Sequence, residues 1–326
     1  MARNRRRALL LATAALLFAS PASAQQGKVW RIGLLETTSR TMNATNFDAL
    51  RKGLQDLGSV EGKNQLIHYR SADGQAERFK ELANDLILEK VDLIVGRGVP
   101  ATRAAMLATS TIPIVVTTAG SPVRSGLVKS LARPGGNVTG LSSITADLSG
   151  KRVQLLKEIF PRIAAIGVLA NMSNPNNQNV WQETEKAARS IGIRAQILDM
   201  RKAEDLGSAF EVARKERLGA LIVVSDTVTQ ANRKAIVELA LSNRLPTIGT
   251  AEFAAAGMLL SYAADVPNLY FRAASYIDRI FKGAKPGDLP MEEPTTLELI
   301  INVKTARALG VTIPPAVQLR ADKLIE

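Results

Sequence analysis

Arg31-Ile32-Gly33-Leu34-Leu35 and Ile166-Gly167-Val168-Leu169 are two readings of one strand, set 134 residues apart from Ile32 to Ile166. Each is a short apolar run rich in branched residues, the pattern of a buried parallel strand. The residues after each run repeat in the same order. Leu66 to Tyr69 and Ala195 to Leu198 form a second pair of strands. Val91-Asp92-Leu93-Ile94-Val95-Gly96 and Gly219-Ala220-Leu221-Ile222-Val223-Val224 form a third. Ile112-Pro113-Ile114-Val115 and Leu245-Pro246-Thr247-Ile248 form a fourth, and both start hydrophobic-Pro-hydrophobic. Amphipathic helical stretches lie between them. Phe47, Leu50, Leu54 and Leu57 make one face; Phe79, Leu82, Leu86 and Ile87 the next, with Asp73 as a candidate cap. In the second half Trp181, Thr184, Ala188 and Ile191, then Leu206, Phe210 and Ala213, repeat the arrangement. Strand–helix alternation predicts an α/β fold with parallel sheets. Its recurrence at nearly constant offsets predicts two Rossmann-like lobes.

The tail continues the pattern. Met258 to Tyr262 reads as a strand, Pro267 opens a helix through Tyr270, Ala273, Ile277 and Ile280, and Leu297 to Ile301 reads as another strand. These extra elements predict a chain that crosses between lobes more than once. The expected division is 25–142 plus 258–285 for the N-terminal lobe, and 143–257 plus 286–326 for the C-terminal lobe.

Residues 1–24 read as a signal peptide. Arg3, Arg5, Arg6 and Arg7 precede an apolar run from Ala8 to Ala19, and Ala22 and Ala24 satisfy the small-residue rule, placing cleavage after Ala24. The run is too short to span a bilayer, which needs about 20 apolar residues. A periplasmic location is therefore expected, with no membrane insertion after cleavage. Removing the four arginines takes the formal charge from +12 to +8. The remaining basic residues are scattered among acids, with only 4% aromatics, so a nucleic-acid partner is not expected. The chain has no cysteine, which excludes disulfides and thiolate chemistry, and His68 is its single histidine. There is no P-loop and no G-x-S-x-G elbow. Gly96-Arg97-Gly98-Val99-Pro100-Ala101 loosely fits a dinucleotide loop, but Pro100 lacks an N–H where phosphate would sit. No cofactor, no metal site and no enzyme activity are expected.

Ligands of open α/β sheets bind at the carboxyl ends of the strands, and pockets concentrate between domains. The candidate ligand-binding residues are therefore the strand-end loops. In the first lobe these are Thr37, Thr38 and Ser39, then Arg97 and Gly98, then Thr118 and Ala119. In the second they are Asn171 and Asn174, then Asp226 and Thr227, then Gly249, Thr250 and Glu252. Hydroxyls and helix N-terminal amides suit a carboxylate, Asp226 an ammonium, and Arg97 a second carboxylate. Each of the hydroxyl, amide and acidic residues is equally well explained, taken singly, as a helix cap.

Ser130-Leu131-Ala132-Arg133-Pro134-Gly135-Gly136-Asn137-Val138-Thr139-Gly140 resembles the signature of a bacterial ABC transporter substrate-binding family. So do Val60-Glu61-Gly62-Lys63-Asn64, Leu259-Leu260-Ser261-Tyr262, Lys282-Gly283-Ala284-Lys285-Pro286 and the closing Arg320 to Glu326. The resemblance implies a type I periplasmic-binding-protein fold, two lobes joined by three crossovers. It also implies a small-molecule ligand, an inner-membrane ABC permease with its ATPase as partner, and a monomer. Some relatives bind aromatic amino acids. Ser121-Pro122-Val123 departs from the Asp-Pro-Val that members often carry. A ligand sensor for a membrane receptor and a periplasmic hydrolase or lyase are the alternatives. A regulator of the lac-repressor type would need a helix-turn-helix where the signal peptide stands.

Overall fold

Strand β1 (Trp30–Glu36) lies inside a five-stranded parallel sheet, and five of its seven side chains are buried. Its neighbours are β2 (Gln65–Ser71) on one side and β3 (Leu93–Gly96) on the other, followed by β4 (Ile114–Ala119) and β5 (Val138–Ser142). The computed structural model describes residues 28–326, so the signal peptide expected at Met1–Ala24 lies outside the described residues. Ile32 pairs with Ile67 and with Leu93, a register that directs Ile32 and Leu34 into one apolar layer. Burying one such side chain contributes about 1.5–3 kcal/mol.

The second sheet repeats the order. Strands β7 (Arg194–Asp199), β6 (Ala165–Ala170), β8 (Leu221–Val223), β9 (Thr247–Gly249) and β10 (Leu260–Ala264) follow the β2-β1-β3-β4-β5 sequence of the first. The duplicated α/β architecture expected from the offsets is thus present. Two strands extend the second sheet, β11 (Leu297–Asn302) and β12 (Lys323–Ile325). Strand β11 runs antiparallel to β10, so the otherwise parallel sheet is mixed at that edge.

The lobe boundaries differ from the expected ones in two places. Residues 258–264 belong to the second lobe, because Leu260 pairs with Ile248 and with Ile301. Residues 286–292 belong to the first, because Leu289 and Met291 enter its cores and the Ser142 amide donates to the Glu292 carbonyl. The chain therefore changes lobes after β5, after β10 and before β11, three crossings in all. Neither an apolar strand such as Leu260–Ala264 nor an irregular Pro/Gly segment such as 286–292 carries a mark of which sheet it will join, so spacing alone misassigned both.

Helix Val266–Phe281 packs on the first lobe, with Leu269, Tyr270, Ala273 and Ile277 buried against Phe47, Leu50 and Leu54 of helix Ala44–Asp56. Gly53 allows the two backbones this approach, since a Cβ there would lie 2.5 Å from the Phe271 carbonyl oxygen. Asp265 caps the helix by accepting from the Asn268 amide, and Pro267 sits in its first turn. Helix Phe79–Leu88 starts differently from expectation. Asp73 does not cap it; its carboxylate accepts instead from the Ser71 hydroxyl. In helix Pro175–Ser190 the buried face runs through Val180, Thr184 and Ala188, leaving Ile191 exposed beyond its end.

Candidate functional site

The carboxyl ends of both sheets face one another across a cleft lined by residues of both lobes, the place where ligands of open α/β sheets bind. Eight of the residues expected at the site line it: Thr37, Arg97, Gly98 and Thr118 from the first lobe, and Asn174, Asp226, Thr227 and Thr250 from the second. Each stands where a strand ends and a loop or helix begins, so the parallel α/β topology delivers them together.

Six expected residues are near the cleft but do not line it. The Thr38 carbonyl accepts from the Tyr69 hydroxyl, and the Ser39 hydroxyl accepts from the Met42 amide. Ala119 is buried in β4. Asn171 closes a local turn by accepting from the Ser173 amide and hydroxyl. Gly249 leaves room for Met258, whose sulfur would lie 2.9 Å from a Cβ there. Glu252 binds protein rather than cleft: its Oε1 accepts from Arg97 Nη2 at 2.6 Å and its Oε2 from the Thr250 hydroxyl at 2.8 Å.

That last pair brings Arg97 a partner from the other lobe. Its guanidinium spans the lobes, giving Nη1 to Asn43 Oδ1 at 2.7 Å and Nη2 to Glu252. Nη1 and Nη2 each have a protein partner, so Arg97 links the two lobes at the cleft that it lines. Burial works against the charge of Glu252, but the Arg97 guanidinium and the Thr250 hydroxyl hold its carboxyl below the usual range. Further contacts join the lobes. Arg124 meets Glu183 at 3.0 Å, and Arg233 Nη2 donates to the Met42 carbonyl at 3.0 Å. At Gly120 a Cβ would fall 2.0 Å from Asn176 Oδ1, and at Gly74 one would fall 2.7 Å from the Ala231 Cβ. The lobes stand closed on one another.

Asp226 performs the capping role and lines the cleft at once. Its Oδ1 accepts from the Val228 and Thr229 amides at 2.9 and 3.0 Å, and its Oδ2 from Asn177 Nδ2 at 2.9 Å. Burial raises its pKa to about 6 despite these donors. Asn174 likewise caps helix Pro175–Ser190 through the Asn176 amide.

Other cleft residues carry no motif: Ser143, Thr145, Arg152, Asn176 and Gln230. Arg152 had one legible signal, a charge on the stripe Leu148, Arg152, Leu155, Ile159, whose other members are all buried. Beneath the first-lobe wall lies Glu36, fully buried at the end of β1, with the Tyr270 hydroxyl 2.8 Å from Oε1. Burial pushes its carboxyl up to about 7, and the Arg97 charge pulls in the other direction. Ser121, the departure from Asp-Pro-Val, borders a separate depression and is not among the cleft residues. His68 lies in β2 with Nδ1 2.7 Å from Glu89, away from the cleft.

Two α/β lobes, joined by three crossings and closed on a cleft between them, define the type I class of periplasmic-binding-like proteins. The chain belongs to the family described as ABC transporter substrate binding protein, which matches residues 32–325. A tyrosine-binding protein of Clostridioides difficile is 28% identical over 276 residues, covering 83% of this chain and 79% of that protein. A conserved domain protein from Vibrio cholerae superposes with a TM-score of 0.85 at 29% identity, covering 91% of this chain and all of that one. An ABC domain from Streptococcus pneumoniae in complex with L-Trp superposes at 0.82 with 26% identity, over 90% of this chain and all of that one. No helix among the described residues is long and apolar enough to cross a membrane.

Proposed function

We propose that this chain is the solute-binding component of an ABC importer. It works in the periplasm after cleavage behind Ala24 and, as a monomer, hands a small polar ligand to an inner-membrane permease served by an ATPase. It is not an enzyme on this reading. The observation that carries the proposal is the set of polar groups that meet across the two lobes, above all Arg97 with Glu252. A ligand that bridges the walls adds to those contacts, and the closed form becomes the species that docks. The relatives that hold tyrosine and L-Trp support an amino acid or related carboxylate as the ligand class. Asp226, buried and poised to ionise, suits an ammonium group, since a cation beside it favours the charged carboxylate.

The test is solution scattering and calorimetry on the purified chain without residues 1–24, against amino acids, organic acids, sugars and polyols. Saturable binding accompanied by a smaller radius of gyration is expected for one class. The reading fails if no compound that binds also compacts the protein. Loss of uptake on deletion, restored by re-expression, separates an importer component from a receptor's sensor.

A further inference from the structure

The cleft holds one cation for which the described residues provide no anion. Arg152, only 2% exposed, projects from the buried stripe of helix Ser149–Ile159 and lines the cleft. Its Nε donates to the Tyr262 carbonyl at 2.9 Å and its Nη1 to the Thr145 carbonyl at 3.3 Å. Both are neutral acceptors. Among the described residues Nη2 has no partner, and no carboxylate lies within 4 Å of the guanidinium. Arg97 differs in this respect, being neutralised by Glu252. Burial without a counter-charge depresses the Arg152 pKa to about 10, which still leaves it a cation at neutral pH. A buried charge is stable only when paired, so an arriving anion gains most here.

The rest of the wall restricts what that anion carries. Three cleft atoms are buried and lack hydrogen-bond partners: Thr37 Oγ1, Thr227 Oγ1 and Asn176 Oδ1. Thirteen of the 20 lining residues carry a hydroxyl, amide or charged group, the apolar side chains being Val99, Pro100, Ala263, Ala264 and Val266, and no Phe, Tyr or Trp is among the residues described there. An aromatic ring would bury its faces against polar atoms and leave them unpaired, where a hydroxyl or amino group would pair with them.

From these positions we infer that Arg152 is the anion receptor of the cleft, and that it holds the carboxylate of a small, non-aromatic, polar amino or hydroxy acid. The inference rests on the solute-binding reading above and narrows it. It separates this chain's ligand from the aromatic amino acids held by the two named relatives.

The test is calorimetry on the chain without residues 1–24. The probes are serine, threonine, glutamate and malate, their carboxamide counterparts, tyrosine, tryptophan, and ribose as a neutral solute. At least one non-aromatic acid is expected to bind. Its carboxamide and both aromatic amino acids are expected to bind at least about 30-fold more weakly, the scale for leaving a buried charge unpaired. Arg152→Gln is expected to lose a similar factor and Arg152→Lys to recover part of it. Should Arg152→Gln fail to fold, the acid–amide comparison on the unaltered chain decides alone. The inference is overturned if the carboxamide binds within threefold of the acid, if tyrosine or tryptophan binds best, or if Arg152→Gln binds normally. If ribose alone compacts the lobes, the carboxylate inference falls and the solute-binding reading stands. If no probe binds or compacts the protein, both fall.

Discussion

Replacing Glu252 with Gln tests whether the ion pair between lobes sets the closing equilibrium. Arg97 and Glu252 have side chains 8% and 19% exposed in the closed form, and the contact is 2.6 Å. Removing one partner of a fully buried pair costs about 3–5 kcal/mol. Here Gln keeps an acceptor for Arg97, and Glu36, partly ionised at neutral pH with its carboxyl pushed up to about 7, remains nearby. These two facts reduce the expected cost to about 2 kcal/mol, scaled down from the buried-pair value. The open form leaves both groups to water, so the loss falls on closure rather than on folding. Roughly a 30-fold rise in apparent Kd follows, because affinity scales with the closed population. Calorimetry with the best ligand measures it, scattering reports the radius of gyration without ligand, and urea unfolding checks that lobe stability is unchanged. Arg124→Gln is the control, because its pair with Glu183 is 42% and 36% exposed. An exposed pair of this kind is worth about 0–1 kcal/mol, under about fivefold. A Kd for Glu252→Gln within threefold of the parent, with unchanged dimensions, would refute that role for Arg97 with Glu252.

Three further outcomes are expected. Gly120→Ala introduces a Cβ 2.0 Å from Asn176 Oδ1 only when the lobes are closed, so ligand affinity should fall about 5- to 150-fold, matching an overpacking cost of about 1–3 kcal/mol, while the melting temperature holds. Gly53→Ala meets the Phe271 carbonyl inside one lobe and should lower stability by about 1–3 kcal/mol, read from the urea midpoint, with affinity intact in the folded fraction. Burial pushes the Glu36 carboxyl up to about 7 in the folded chain, from its ordinary 4.5. Its protonated form is therefore favoured by folding, and the contribution is full below pH 4.5 and lost as pH rises through 7. The span is worth about 3 kcal/mol at most. Unfolding free energies from urea titrations at pH 5 and pH 8 should differ by up to that amount, and Glu36→Gln should flatten the dependence.

Strand order, helix faces and duplication were legible because they are local. A parallel strand buried on both faces must be apolar along its length, and the offsets from Ile32 to Ile166 and from Ile112 to Leu245 repeat that requirement. The strand-end rule likewise reaches Thr37, Asp226 and Thr250, since each follows directly from where a strand stops. The sheet that Leu260–Ala264 would join, the antiparallel direction of Leu297–Asn302, and the pairing of Arg97 with Glu252 across 155 positions were not legible. All three depend on contacts between residues far apart in the chain, and local composition holds no trace of the partner. Arg152 stands between these cases: a charge on an apolar stripe is visible in sequence. Only the folded chain shows that it lines a ligand cleft with two neutral carbonyls and no anion, because burial and counter-charge are properties of assembled lobes.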